Sequence, residues 1–394
     1  MTTQMSAFPV SLPFAPEEFA ARRERILAEM QRQKLDAIVL TSAPNYYYAA
    51  GLSFQVILGL MSLVLCSDGR GFWIGRRTEM GNVESFIAAA GWSEIARGIA
   101  DEEDTFAVAG EALAQLVPAG ARIGFELDAR TIPYNGIVTM AAAVSGAEIA
   151  NASPIVEGLR AVKTAAELEA LNTSAQMTAR VIKGAVSKIV EGQTDTELAL
   201  NIFAGMAAEG SDPLPCVPFV TAGPRSALAH STYANIPINR GELITVETGA
   251  VYKKYCAPTY RIAMIGQPSD DLRRLHDASR DALLTALEKF GPGMTSHEGD
   301  RIVRESIERS GYLDYFTVRA AYSIGLGFSP SWDEDHIMKL RPNDDRIVQP
   351  GMVFHVVPAL YKPGAGAVCC SNTVQITENG AKALVPVEAE LLVV

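Results

Sequence analysis

A chain of 394 residues that is 48 % hydrophobic and 20 % charged is long enough for two or three domains with sizeable cores and too apolar for disorder. Its 34 Lys and Arg stand against 45 Asp and Glu, a net charge of −11, with no basic stripe, which argues against a nucleic-acid partner. The five Cys (Cys66, Cys216, Cys256, Cys369, Cys370) form no CxxC pair, so neither a disulfide framework nor a thiolate zinc site is expected, and a reducing cytoplasm fits best. The opening MTTQMSAFPVSLPFAPEEF lacks the basic and apolar regions of a signal peptide. The most apolar stretch, Val56 to Cys66, is shorter than the roughly 20 residues of a spanning helix and reads as a buried strand, so no membrane partner is expected.

In chain order, residues 17–33 carry apolar positions at helical spacing, and 35–43 reads as a short strand closed by Pro44-Asn45. Strand candidates at 61–66, 71–75 and 122–126 alternate with Ala-rich helical segments such as 107–116, which is the pattern of an α/β domain. Thr164 and Glu167 have capping-box spacing and open a second domain. Within it, EGQTDTE (191–197) and PGMTSHE (292–298) each head an amphipathic segment after a long helix, and GELITVETGAVY (241–252) resembles PGMVFHVVPALY (350–361). Two copies of a helix pair and a strand pair predict a pseudo-two-fold α+β domain.

That duplicated layout, with the linker LRAVKTAAELEAL (159–171), resembles the pita-bread fold of the methionine aminopeptidase, prolidase and creatinase superfamily. The resemblance implies an α+β chain with a creatinase-like α/β amino-terminal domain over 1–157 and a pita-bread catalytic domain over 158–394. It also implies a homodimer in which one amino-terminal domain closes the partner's cleft, where Arg76 and Arg77 of IGRR could reach substrate or interface. The superfamily's peptidases hold two metal ions with two Asp, one His and two Glu. The corresponding positions here are Glu247, Pro258, Tyr322, Val357 and Ser371. Pro and Val side chains have no donor atom, so no metal and no other cofactor is expected.

A metal-free reading finds further support in the resemblance. His230 lies twelve residues before Glu242, the spacing of the catalytic His in creatinase. His230 with Thr232, Glu247 followed by VYKKY, Ala257-Pro258, Arg261, the YSIG run at 322–325, the Pro330 to Trp332 element, LRP at 340–342 and His355 resemble the ectoine hydrolase branch. The resemblance therefore implies ring opening of ectoine, a small zwitterionic amidine. The alternatives are hydrolysis of another small amide or guanidino compound, a catalytically silent binding module and, last because of the missing donors, a Xaa-Pro peptidase.

Without a metal, side chains must supply both the nucleophile and the proton transfers. Alternation along a strand puts Thr245, Glu247 and Gly249 on one face and Val353, His355 and Val357 on another, so an acid and an imidazole can enter one cleft. Glu247 is the expected nucleophile or base and His230 the expected proton shuttle. Tyr255, Tyr322 and His355 are candidate donors to a tetrahedral intermediate, Arg261 or Arg341 to a substrate carboxylate, and Tyr252 and Trp332 further substrate contacts. Asp333, Glu334 and Asp335 beside His336 read as a solvated loop, GLGFS (325–329) lacks the Lys of a phosphate loop, and Cys369-Cys370 read as strand residues.

Overall fold

The computed structural model describes residues 10–54, 59–364 and 366–394. The amino-terminal stretch before Val10, and Val56 at the head of the apolar run, lie outside the described residues. Helix α1 (Pro16–Arg32) buries Phe19, Ile26 and Met30 along one face, and β1 (Ala37–Leu40) is buried throughout. The strand expected over 35–43 is shorter than its apolar run because α2 (Ala43–Ala50) begins there, with Pro44 in its first turn. Proline is at no disadvantage at that position, where a backbone N–H would have no intrahelical partner. The remaining elements of this region are β2 (Met61–Cys66), β3 (Gly71–Arg76), α3 (Met80–Ala90), β4 (Ser93–Ile99), α4 (Thr105–Leu116), β5 (Arg122–Phe125), α5 (Tyr134–Ala142) and β6 (Glu148–Asn151). The strands form a mixed sheet in the order β4-β3-β2-β1-β5-β6. Arg76 forms a paired contact with Asp101, and Arg77 reaches Glu103.

The chain divides into two units, residues 1–160 and 161–394, against the expected boundary at 157–158; α6 (Ser153–Ala161) spans the division. The second unit opens with α7 (Ala165–Val186), capped by the reciprocal bonds of Thr164 and Glu167, and α8 (Asp195–Ala208), capped likewise by Thr194 and Glu197. These precede β7 (Phe219–Ala222), β8 (Leu243–Tyr252) and β9 (Tyr255–Met264). The second copy begins with α9 (Asp270–Lys289) and α10 (Ser296–Arg309), the latter capped by Thr295 and Glu298. It continues through β10 (Ala321–Phe328), β11 (Ser331–Asp333), β12 (Lys339–Leu340), β13 (Val353–Val356), β14 (Leu360–Lys362), β15 (Gly366–Val368), β16 (Asn372–Thr377), β17 (Gly380–Ala383) and β18 (Leu392–Val393).

The main path of the large sheet runs β17-β16-β13-β10-β9-β8-β7. Helices α7 and α8 bury one apolar cluster, including Ile182, Leu198 and Ile202, against β7 and β8. Helices α9 and α10 bury another, including Leu283, Val303 and Ile307, with β13 and β16. The two hairpins differ. β8 and β9 pair continuously from Leu243↔Met264 to Tyr252↔Tyr255, whereas the copy breaks between β13 and β14 at Val357-Pro358.

Tyr255, expected at the substrate, serves this frame instead: its hydroxyl donates to Glu167 Oε1 at 2.6 Å, tying β9 to the first turn of α7. Both residues are 1 % exposed. Tyr255→Phe is expected to destabilise the protein by about 1–3 kcal/mol in urea unfolding, since it removes a donor from a buried carboxylate. An unchanged midpoint would show that this bond is not a structural tie.

Candidate active site

Three strands set the floor of a recess in the second unit. The register places Phe219, Glu247 and Tyr260 in one row across β7, β8 and β9, with Thr221 and Thr245 in a row beside it. The Thr221 and Thr245 hydroxyls share a 2.6 Å hydrogen bond. Tyr322 enters from β10, Trp332 and Asp333 from β11, His230 from the β7–β8 connection and Val357 from the second hairpin; together they enclose about 120 Å³.

Glu247 is partly exposed to this recess, and burial pushes its carboxyl from the ordinary value near 4.5 up to about 7; the charge of Arg319 opposes that rise and the charge of Asp333 adds to it. Arg319, two residues before β10, pairs through Nη2 with Asp333 and lies 4.2 Å from the centroid of the Tyr322 ring. Its buried Nε has no hydrogen-bond partner among the described residues. Desolvation also raises the Asp333 carboxyl, against the pull of Arg319. His230 is exposed, adopts a left-handed φ of 57° and sits 5.8 Å from Phe219, ring centroid to ring centroid.

Beneath the recess wall runs a chain of hydrogen bonds. The Trp332 indole, which can only donate, gives its Nε1–H to the Tyr322 hydroxyl at 3.0 Å, and that hydroxyl lies 2.8 Å from His355 Nδ1. The direction of that second bond follows the imidazole tautomer. The opposite nitrogen, Nε2, lies 2.6 Å from Ser371 Oγ, and that oxygen accepts from Tyr260 N at 2.7 Å. This is a neutral imidazole, and burial lowers its pKa to about 3.

The structure brings His230, Glu247, Tyr322 and Trp332 together around the recess; the other expected contacts lie elsewhere. His355 is fully buried behind Tyr322. The Tyr322 hydroxyl and both His355 nitrogens are engaged in the buried chain, and the Tyr255 hydroxyl donates to Glu167. The Arg261 guanidinium, expected to meet a carboxylate, is buried against the carbonyls of Tyr260, Ser371, Val387 and Glu388 and the Thr259 hydroxyl. Arg341 pairs with Asp344, and Tyr252, at the end of β8, is half-buried outside the recess. The acidic run read as a solvated loop is a correction: Asp333 lines the recess and Glu334 is 2 % exposed. Sequence reasoning missed Arg319. The signal available was a lone cation three residues before Tyr322, at the entrance to an apolar strand.

A dinuclear metal centre does not fit these residues. Of the five donor positions implied by the resemblance, Glu247 alone presents an acid. The Pro258 carbonyl accepts from Thr373, the Tyr322 and Ser371 hydroxyls are engaged with His355, and Val357 offers no donor atom. Among the described residues no group of three or more His, Cys, Asp and Glu side chains could hold a metal ion.

Residues 169–378 match the model of metallopeptidase family M24, and residues 22–162 that of the creatinase/prolidase N-terminal domain. The chain belongs to family M24. It is 27 % identical over 372 residues to a Xaa-Pro dipeptidase of Pyrococcus furiosus, covering 94 % of this chain and 99 % of the relative. An ectoine hydrolase of Halomonas elongata is 25 % identical over 398 residues, covering 98 % and 99 %. The solved dipeptidase PepE of Mycobacterium ulcerans superposes with a TM-score of 0.83 at 26 % identity, covering 97 % and 99 %. The M24 chain thus has the creatinase-type amino-terminal domain and pita-bread carboxy-terminal domain expected, and it is a hydrolase of this family. The expectation of ectoine ring opening is overturned, because Xaa-Pro dipeptidases and prolidases predominate among the relatives and solved neighbours. No helix among the described residues is long and apolar enough to cross a membrane.

The raised Glu247 pKa has a stability consequence. The folded state retains a proton that the unfolded chain releases near pH 4.5, so stability falls as pH rises between about 4.5 and 7 and the full penalty stands above 7. Glu247→Gln is expected to match the parent melting temperature at pH 4.5 and to exceed it by about 3–6 °C at pH 8. An equal difference at both pH values would contradict the raised pKa.

Proposed function

We propose that this M24 hydrolase cleaves a peptide-type C–N bond in a dipeptide-sized substrate, with Xaa-Pro dipeptides the first candidates, by side-chain acid–base chemistry. The observation that carries this reading is Glu247: a carboxyl on the floor of a small recess, pushed up to about 7 and facing the charge of Arg319. A base whose pKa lies near the working pH is well matched to proton transfer. The dipeptidase names of relatives spanning the whole chain supply the substrate class.

Ionised Glu247 takes a proton from water as the water oxygen bonds to the substrate carbonyl carbon. The charge of Arg319, which lines the recess, offsets the charge developing on the carbonyl oxygen. Collapse of the tetrahedral species breaks the C–N bond, and His230 delivers a proton to the departing nitrogen. With proline the leaving group is a secondary amine, a poor leaving group until protonated. A homodimer belongs to the same proposal. A second reading, a recognition module that binds dipeptides without cleaving them, draws on Pro258 and Val357 at the donor positions.

Chelator-treated protein incubated with Ala-Pro, Gly-Pro and Ala-Ala over pH 5–9 tests the proposal. The expected result is release of free proline, with kcat/KM rising about tenfold per pH unit on the acid side below about 7 and falling by about 10³ or more in Glu247→Gln. Turnover that appears only after a divalent metal is restored would overturn the side-chain mechanism. Dipeptide-induced thermal stabilisation with no cleavage at any pH would favour the recognition module.

A further inference from the structure

His230 stands on a segment that is held with unusual thoroughness for an exposed connection. Helix α8 begins with Asp195, whose carboxylate is completely buried. Asp195 Oδ1 accepts from the backbone N–H groups of Ala234 and Ile236 at 3.0 and 2.9 Å. Its other oxygen accepts from Arg225 Nη1 at 2.8 Å. The second arm of the same guanidinium reaches back across the loop: Arg225 Nη2 donates to Ser231 Oγ at 3.1 Å and to the Thr232 carbonyl at 2.6 Å. The Thr232 hydroxyl in turn donates to the carbonyl of Pro218, one residue before β7. The loop is thus tied to α8 and to the foot of a floor strand on the carboxy-terminal side of His230, and the tie originates at Arg225 on its amino-terminal side.

Between these ties the backbone adopts left-handed φ values at two non-glycine residues, 57° at His230 and 62° at Asn235. Such conformations are unfavourable for residues with a Cβ and persist where surrounding contacts over-determine them. The His230 ring has no hydrogen bond of its own among the described residues; what locates it is the backbone on which it stands and its packing against Phe219. A loop that only had to connect β7 to β8 would not need a buried carboxylate and a three-pronged arginine to fix the residues next to an exposed imidazole.

We infer that the Asp195–Arg225 pair positions His230 for proton delivery, holding the 230–232 backbone so that the imidazole is presented to the Glu247 recess. Arg225 and Asp195 are positioning residues acting through His230, and the inference rests on the proposed hydrolysis. Because the pair acts through one side chain, its effect on turnover exists only while that side chain is present. A guanidinium that reaches Asp195, Ser231 and Thr232 together is not replaced by an ammonium, which is a single point charge. Arg225→Lys therefore keeps the ion pair and loses part of the grip on the loop.

The test is a double-mutant cycle with Ala-Pro hydrolysis as the assay: parent, Arg225→Met, His230→Ala and the double variant, with Arg225→Lys as the conservative control. Arg225→Met is expected to lower kcat about 30-fold with KM changed less than about 3-fold. The same substitution in the His230→Ala background is expected to change kcat by less than about 3-fold, and Arg225→Lys to fall between Arg225→Met and the parent. Equal losses in both backgrounds would overturn the inference, since the pair would then act on the fold at large. If His230→Ala turns over like the parent, the proposed role of His230 fails instead. If no variant and no parent cleaves Ala-Pro, the imidazole proton resonances decide: Arg225→Met should move the signal that His230→Ala removes and leave the other His signals in place, and an unmoved signal would overturn the positioning role.

Discussion

The site is organised by a buried chain of hydrogen bonds. Trp332 donates to the Tyr322 hydroxyl, which bonds His355 Nδ1, and the neutral His355 bonds Ser371 through Nε2. That chain links β11, β10, β13 and the residue before β16 through side chains in the buried layer behind the recess. It occupies two of the positions where the resemblance to the metallopeptidases puts metal donors. A buried network of this kind is favourable when its members are satisfied, and here the Trp332 indole, the Tyr322 and Ser371 hydroxyls and both His355 nitrogens are all engaged.

What is left for chemistry is small in number and unbalanced in environment. Glu247 gains the pull of Arg319 but loses more to desolvation, so its carboxyl settles at about 7. Arg319 gives one arm to Asp333 and lays its plane near the Tyr322 ring. His230 stands apart, its ring without a hydrogen bond among the described residues, on a backbone fixed by Arg225 and Asp195. An acid, a cation and an imidazole with separate supports form a set suited to proton transfer and charge stabilisation at one carbonyl. The family M24 frame supplies the sheet that positions them.

Much of this frame is legible in the sequence because its signals are local. Thr164 with Glu167, and the two later TxxE boxes, announce helix starts by a spacing of three residues that the structure reproduces bond for bond. Alternation along β8 points Glu247 to a common face with Thr245. The start of α2 was less legible, since Pro44 signals both a turn and a first helical turn. The partners of Arg261 were not legible at all: its guanidinium is satisfied by carbonyls more than a hundred residues away, at Ser371 and Val387. The same holds for Asp333 and Arg319, whose meeting depends on how β10 and β11 fold back on each other. Where a side chain's role is set by long-range closure, residue type and spacing can nominate it for the cleft without showing that its hydrogen bonds are already taken.

The central proposal is that this M24 chain holds a buried hydrogen-bond chain where the resemblance puts metal donors and leaves the reaction to Glu247, His230 and Arg319. Titration of the chelator-treated protein with cobalt(II), followed by its visible absorption and by calorimetry, tests that claim most directly. The account predicts no stoichiometric binding in the micromolar range and a spectrum indistinguishable from that of the free ion. Tight uptake of two ions per chain, lost in Glu247→Gln, would contradict it.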